Sequence, residues 1–309
     1  MERKEEYPLA IIGAGPAGLS ASIYASRYGV DHIVIGHLPG GQISETHEID
    51  NYPGVDAAGG FEFAESLMAH ARKFGAPIES RMVVGVRKED GAFVLLLDGG
   101  STVRCRALLL ATGTKRRALG IPREDEFVGR GVSYCATCDG FFYRGKTVAV
   151  IGGSNSAAGA ALYLSDIAAK VYLVYRGDEL RAEAHTVNRL REKGNVSIIL
   201  GTNVVSLSGT ETLTSVTLDR PHDGSEALPV DGLFIEIGSD PSADFARDLG
   251  VETDESGFVK VSADMTTNVP GVFAAGDLTD GSAKFRQVVT AAAEGAIAAR
   301  SIHAYLSRS

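Results

Sequence analysis

The sequence predicts an α/β fold, because short β-rich runs alternate with helical stretches along its 309 residues. Two glycine-rich loops, at 13–18 and 152–157, each follow a short apolar strand and precede a helix. These strand–loop–helix units recur about 140 positions apart. Together the three observations predict two Rossmann-like dinucleotide-binding domains, each with a three-layer ββα arrangement.

Length and composition agree with two globular domains, since 309 residues exceed the usual ~150 residues of one domain. The chain carries 30 Lys and Arg against 39 Asp and Glu, a net charge of −9, which argues against nucleic acid as a partner. No apolar run approaches the ~18 residues that span a bilayer, and no signal peptide is recognised. We therefore expect no membrane partner and a cytoplasmic location.

The first unit begins with an apolar strand at 9–12 and continues as a helix to about residue 28 and a strand at 32–35. Between the first strand and the helix, Gly13, Gly15 and Gly18 have the spacing G-x-G-x-x-G. The first glycine permits a tight turn, the second lets a pyrophosphate approach the backbone, and the third lets helix and strand pack closely. The loop predicts a bound dinucleotide; the alternative is a plain glycine-rich turn.

One part of the usual fingerprint is missing from this first unit. An acidic residue about 20 positions after the loop normally holds the ribose, but the second strand ends at Gly36-His37. We expect the ribose contacts to come from the turn Gly40-Gly41-Gln42 instead.

The second unit repeats the plan with a strand at 147–151, a helix at 158–167 and a strand at 171–175. Two later strands, at 108–111 and 271–277, and an Ala-rich helix at 286–306 complete the first unit. The second domain, 117–245, is therefore predicted to be inserted into the first, which comprises 1–116 and 246–309.

Cys135 and Cys138 form a C-x-x-C pair, which favours a redox-active dithiol because two such sulfurs can close and reopen a small ring. Half of a zinc site or two unreactive buried thiols are the alternatives. Asp139 could exchange a proton with a departing thiolate or be an ordinary turn aspartate. Cys105 is expected to be a small buried hydrophobe.

With these motifs the sequence resembles the low-molecular-weight thioredoxin reductases, class II FAD-dependent pyridine nucleotide-disulfide oxidoreductases, over nearly the whole chain. The motifs that carry the resemblance are Gly13-Ala-Gly-Pro-Ala-Gly18, Gly40-Gly-Gln42, Asn51-Tyr-Pro-Gly54, Ala111-Thr-Gly113, Gly131-Val-Ser-Tyr-Cys-Ala-Thr-Cys-Asp-Gly140, Gly271-Val-Phe-Ala-Ala-Gly-Asp277 and Arg286-Gln-Val288.

The resemblance implies a homodimeric flavoprotein that holds FAD in the discontinuous domain. It implies that Cys138 reacts with the flavin, Cys135 exchanges with a thioredoxin-like protein, and Asp139 handles the proton. It also implies that the inserted domain rotates between flavin and substrate. The FAD-binding residues implied are Gly13, Ala14, Gly15, Pro16, Ala17, Gly18, Gly41, Gln42, Asn51, Val83, Thr112, Gly113, Gly276, Asp277, Arg286, Gln287 and Val288.

The resemblance also implies an NADPH site in the second domain, and here the sequence departs from the family. Ser154 replaces the middle glycine of the loop, and Tyr175 and Gly177 replace a histidine and an arginine of the family's basic run. Losing one charge-assisted bond costs about 1.5–3 kcal/mol. The residues expected at this site are Gly152, Ser154, Asn155, Ser156, Ala157, Arg176 and Arg181.

The sequence therefore predicts an FAD-dependent disulfide reductase of the thioredoxin reductase type, with NADPH as electron donor. The alternative donors are NADH, reduced ferredoxin and a second flavin. A ferredoxin–NADP reductase is disfavoured by the dithiol, and a flavin- or zinc-binding protein without turnover is the remote alternative.

Overall fold

The computed structural model describes residues 4–45, 48–49, 51–55 and 58–308, apart from the side chains of residues 45, 48, 137, 138 and 284. The chain divides into two compact units, of which the first comprises 1–115 and 240–309 and the second comprises 116–239. The predicted insertion, 117–245, reaches a few residues further along the chain at its end. Each unit is described separately below.

The strands are β1 Glu6–Ile12, β2 His32–Ile35, β3 Glu48–Ile49, β4 Ala58–Gly59, β5 Ile78–Glu79, β6 Val83–Glu89, β7 Ala92–Leu97, β8 Thr102–Leu110, β9 Thr114–Arg116, β10 Val132–Ser133, β11 Thr147–Ile151, β12 Lys170–Tyr175, β13 Val196–Leu200, β14 Val204–Gly209, β15 Leu213–His222, β16 Ser225–Pro229, β17 Gly232–Ile235, β18 Ser239–Pro241 and β19 Val272–Ala274. The α-helices are α1 Pro16–Arg27, α2 Gly60–Lys73, α3 Glu124–Phe127, α4 Ala136–Asp139, α5 Asn155–Ser165, α6 Ala184–Glu192, α7 Asp244–Asp248 and α8 Val288–Leu306.

The first unit is built on a sheet with the strand order β5-β2-β1-β8-β7-β6, in which β19 also pairs with β8. β1 pairs in parallel with β2 and β8, so its apolar residues are buried on both faces. Alanines of α1 and α8 pack on one face of this sheet, whereas the antiparallel pair β6–β7 and helix α7 contribute to the cluster on the other. The glycine loop after β1 therefore lies at the carboxyl ends of the parallel strands of this mixed sheet.

The second unit has a parallel sheet with the order β10-β17-β11-β12-β13. Alternate residues of β11 face two different layers: Val148 and Val150 pack against α5, while Ala149 and Ile151 face the antiparallel sheet β14-β15-β16. This is the predicted ββα arrangement, and the α/β fold class is confirmed.

Several predicted boundaries were wrong by a few residues. Helix α5 begins at Asn155 instead of 158, because two polar residues that lack an apolar period form its first turn. The predicted strand 271–277 is confined to Val272–Ala274, since Gly271 and Gly276 have φ values of +85° and +83° that interrupt it. The three strands of the additional antiparallel layer, at 204–229, were not located from the sequence. No helix among the described residues is long and apolar enough to cross a membrane.

Candidate active site

The first glycine loop is held between three strands of the first unit. The Gly13 N–H donates to the Ile35 carbonyl at 2.8 Å, and Gly13 has a φ of +120°. A Cβ at Gly13 would lie 2.1 Å from the Ala111 carbonyl oxygen, and one at Gly18 would lie 1.9 Å from the Gly13 carbonyl oxygen. Both positions accept only glycine at these distances, as the sequence motif predicts.

Gly15 differs from its two neighbours in the motif. It precedes α1 in an extended conformation, and no side chain caps the helix. A Cβ at Gly15 would meet nothing closer than 3.7 Å, the distance to the Gly41 Cα. The loop therefore leaves room for a ligand beside uncapped helix N–H groups, an arrangement that favours a phosphate.

Other predicted residues meet near this edge although they are far apart in the chain. Gln42 donates through Nε2 to the Thr114 carbonyl at 2.7 Å, and Asn51 donates through Nδ2 to Oε1 of Gln287 at 2.9 Å. Thr112 donates through its hydroxyl to the Ser242 carbonyl at 2.7 Å. The other predicted residues of this unit lie at element ends or in the core. Pro16 begins α1, buried Val83 begins β6, and Val288 begins α8. Ala14 and Ala17 are buried, and the Gly113 carbonyl accepts from the Ser242 N–H.

Asp277 and Arg286 are half-buried neighbours after β19, and the Arg286 side chain reaches the backbone of Asp277. The Arg286 guanidinium lies 3.7 Å from the centre of the Phe258 ring, and its Nε is 3.4 Å from the Asp277 carbonyl oxygen. Its Nη2 is buried and has no hydrogen-bond partner among the described residues. Burial raises the pKa of the Asp277 carboxyl, and Arg286 lowers it. The unused donor and the carboxyl fit the polar part of a bound ligand.

Glu294, on α8, fixes the loop that carries Asp277, and the sequence did not indicate this role. Its buried carboxylate accepts hydrogen bonds from the Gly276 N–H at 2.8 Å and from the hydroxyls of Thr279 and Ser282 at 2.9 and 2.6 Å. A glutamate in an Ala-rich, otherwise apolar helix stretch is the signal that could have found it.

In the second unit, the start of the C-x-x-C pair is held by backbone and hydroxyl contacts. The Ser133 hydroxyl accepts from the Cys135 N–H at 3.0 Å and donates to the Cys135 carbonyl at 3.2 Å. Cys135 is disulfide-bonded. The side chain of Cys138 lies outside the described residues, and Asp139 is the last residue of α4.

Cys105 behaves as predicted for a small core residue. It is a free cysteine with no exposed surface, and burial raises the pKa of its thiol to about 12. A thiol with this pKa is protonated at neutral pH and is a poor nucleophile.

Tyr134, next to the cysteine pair, is anchored by a buried carboxylate that the sequence reasoning missed. Its hydroxyl donates to Glu124 at 2.5 Å, and Glu124 also accepts from the backbone N–H groups of Leu119 and Gly120 at 2.9 and 2.7 Å. Burial and then the bond to Glu124 raise the pKa of Tyr134, so its hydroxyl stays protonated. Glu124 therefore fixes the chain on the amino-terminal side of Cys135.

Two aromatic side chains follow the pair and are open to solvent. Phe141 is 64% exposed and Phe142 is 68% exposed. Large exposed apolar side chains beside a reactive group indicate a surface that another protein can cover.

The second glycine loop repeats the backbone of the first. The Gly152 N–H donates to the Val174 carbonyl at 3.0 Å, and Ser154 precedes α5 in the extended conformation that Gly15 has before α1. A serine side chain therefore stands where the first loop has none, and Ser156 and Ala157 lie in the first turn of α5. Arg181 donates through its backbone N–H to the Gly153 carbonyl at 2.7 Å.

The segment after β12 carries the remaining predicted residues of this site. Arg176 is exposed and directly follows β12. Asn155 accepts through Oδ1 from the Glu183 N–H at 2.7 Å and donates through Nδ2 to its carboxylate at 3.2 Å. These contacts hold the segment against the start of α5.

Glu236 follows β17 beside this loop and was not among the predicted residues. A Cβ at Gly152 would lie 2.2 Å from its carbonyl oxygen. Burial raises the pKa of the Glu236 carboxyl to about 7, and the charge of Arg116 lowers it. The sequence signal that could have identified Glu236 is an acidic residue at the end of an otherwise apolar strand.

We expect Glu236→Gln to stabilise the protein at alkaline pH. The folded protein keeps Glu236 protonated up to about pH 7, whereas the unfolded chain releases this proton near pH 4.5. The wild type therefore loses stability as the pH rises from 4.5 to 7, and the glutamine variant does not. The difference should be small at pH 5 and reach about 3 kcal/mol at pH 8.5.

Calorimetric melting temperatures at the two pH values measure this effect. Glu226→Gln, at an exposed glutamate of β16 in the same unit, is the matched control and should shift neither melting temperature. An equal gain from both variants, or no gain at pH 8.5 for Glu236→Gln, contradicts the assignment.

Comparison with known proteins places this geometry among disulfide reductases. Residues 7–295 match the family described as pyridine nucleotide-disulphide oxidoreductase. A thioredoxin reductase of Listeria innocua is 40% identical over 306 residues, which cover 97% of this chain and 94% of the relative. The thioredoxin reductase structure from Lactococcus lactis has a TM-score of 0.91 at 33% identity, covering 98% of this chain and all of that one.

A ferredoxin-flavin thioredoxin reductase from Clostridium acetobutylicum is also similar in structure. It has a TM-score of 0.53 and 28% identity over 99% of both chains.

Proposed function

The chain belongs to the pyridine nucleotide-disulphide oxidoreductase family, as a thioredoxin reductase-like, FAD-dependent oxidoreductase, and we propose that it reduces the disulfide of a thioredoxin-like protein. The net reaction is NADPH + H⁺ + protein disulfide → NADP⁺ + protein dithiol. The Cys135–Cys138 pair would take up two electrons and pass them to the disulfide of the partner. Bound FAD supplies a group that accepts the donor's electron pair and returns it to a disulfide.

The observation that carries the proposal is the space at Gly15. A Cβ at Gly13 or Gly18 would clash with backbone atoms, whereas a Cβ at Gly15 would meet nothing closer than 3.7 Å. Uncapped helix N–H groups lie beside Gly15. This fits the FAD pyrophosphate. The unpartnered Nη2 of Arg286 and the carboxyl of Asp277 fit a polar segment of the same cofactor. Glu294 would position Asp277.

The cysteine pair would carry the electrons outward. Cys135 would attack the partner's disulfide to form a mixed disulfide, and Cys138 would displace the reduced partner. Asp139 would supply or accept the proton of the exchanging thiol. The exposed rings of Phe141 and Phe142 support docking of the partner beside Cys135.

Two donors fit this scheme. NADPH is typical of the family and is our first candidate. Reduced ferredoxin is the second, because Ser154 stands where the first loop has Gly15, and because a ferredoxin-flavin thioredoxin reductase is similar in structure.

An anaerobic titration separates the donors. We expect excess NADPH to bleach the yellow holoenzyme and to support thioredoxin reduction. Flavin that stays oxidised with NADPH but is bleached by reduced ferredoxin would establish the second donor. A colourless preparation with stoichiometric zinc would contradict the flavoenzyme proposal as a whole.

We also propose that the enzyme is a homodimer and acts in the cytoplasm. Both proposals rest on the resemblance to low-molecular-weight thioredoxin reductases, together with a reaction that needs a reducing compartment. Sedimentation of the holoenzyme and fractionation of the source cells test them.

A further inference from the structure

The ring of Tyr175 lies on the second glycine loop. A Cβ at Gly153 would come within 2.6 Å of three ring carbons, and one at Gly177 would come within 2.6 Å of the same ring. The Arg181 guanidinium lies 5.7 Å from the ring centre. The aromatic side chain is therefore packed against two bare glycine backbones beside a cation.

The two glycine loops can be compared residue by residue, because their hydrogen bonds correspond. Gly13 donates to Ile35 as Gly152 donates to Val174, so the residue that follows the accepting carbonyl is Gly36 in the first unit and Tyr175 in the second. The first loop thus has no side chain at the position where the second has a phenol ring.

This position is the one that recognises the adenosine ribose in a dinucleotide-binding unit. The residue at the end of the second strand, about 20 positions after the loop, normally contacts the ribose hydroxyls or its 2′-phosphate. Tyr175 ends β12 and occupies that position, and exposed Arg176 and Arg181 flank it. The cations suit a 2′-phosphate, but the ring covers the loop backbone that the ribose would approach.

We propose that Tyr175 is a specificity-determining residue of the second glycine loop, whose ring competes with the adenosine ribose of NADPH and weakens its binding. The inference rests on the proposed function, since it concerns the donor of the same enzyme. Binding requires the ring to leave Gly153, and the contacts with both glycines oppose this movement.

Calorimetric titration of the oxidised holoenzyme with NADP⁺ tests the proposal without turnover. We expect Tyr175→Ala to bind NADP⁺ at least 10-fold more tightly than the wild type. Tyr175→Phe keeps the ring and should stay within 2-fold of the wild type. Tyr172→Ala, on the same strand but away from the loop, is the positional control and should also stay within 2-fold.

Equal or weaker NADP⁺ binding by Tyr175→Ala overturns the proposal, and so does a lack of detectable binding by both proteins. Tyr175→Ser, with the same expected gain, replaces the alanine variant if that variant does not retain FAD. An experiment with chemically reduced holoenzyme separates failure of this inference from failure of the proposed function. If it still reduces thioredoxin while Tyr175→Ala gains nothing, this inference fails alone; if it does not reduce thioredoxin, the proposed function fails.

Discussion

Cys135→Ser is expected to abolish thioredoxin reduction while leaving the protein yellow. A serine hydroxyl cannot attack a disulfide, so turnover should fall by at least about 1000-fold. The backbone contacts of this residue with Ser133 involve its N–H and carbonyl and survive the substitution. Rates of thioredoxin reduction per bound flavin measure the effect.

Cys105→Ala is the matched control, because it removes a buried thiol whose pKa of about 12 makes it unreactive. It should keep turnover within 2-fold. Cys138→Ser should form a mixed disulfide with a single-cysteine thioredoxin whose thiol has been activated as a thionitrobenzoate disulfide, since Cys135 attacks that disulfide and releases thionitrobenzoate, and Cys135→Ser should not. Substantial turnover of Cys135→Ser would contradict the relay.

Gly15→Val is expected to give a folded protein that does not hold FAD. Gly15 has extended backbone that valine adopts readily, and its Cβ meets no protein atom within 3.7 Å. The added methyl groups would stand where the pyrophosphate meets the helix N–H groups. Loss of two or more charge-assisted hydrogen bonds corresponds to at least about 100-fold weaker FAD binding.

Substitutions at two other glycines are the controls for Gly15→Val. Gly18→Ala should destabilise the fold itself, because its Cβ would lie 1.9 Å from the Gly13 carbonyl oxygen. Gly159→Ala, in α5 with nothing within 4 Å of its Cβ, should leave folding and FAD content unchanged. Circular dichroism and the flavin-to-protein ratio separate the cases. A Gly15→Val protein that keeps stoichiometric FAD would contradict the cofactor assignment.

The glycine loops could be predicted from the sequence because their function depends on backbone. Gly13 has a φ of +120°, and a Cβ there would lie 2.1 Å from a carbonyl oxygen, so only glycine fits. The spacing of such obligatory glycines can be recognised in the sequence. The cysteine pair could also be predicted, because its two residues are only three positions apart in the sequence.

The buried glutamates could not be predicted in this way. Glu124 contacts the loop before it and Tyr134 after it, while Glu294 contacts a loop that precedes it by more than ten residues. Their partners are backbone N–H groups and hydroxyls, which every sequence contains in abundance. Tyr175 was noted as a departure from a family motif, but its packing on Gly153 and Gly177 depends on the fold.

The central claim is that electrons pass from a bound flavin through two neighbouring cysteines to a protein disulfide. The most direct measurement is an anaerobic electron count, in which holoenzyme reduced with two electrons per flavin is mixed with oxidised thioredoxin and the new thiols are alkylated. The account predicts two thioredoxin thiols per flavin, because two electrons and two protons convert one disulfide into a dithiol, and none with Cys135→Ser. Flavin that stays reduced beside an intact thioredoxin disulfide would contradict it.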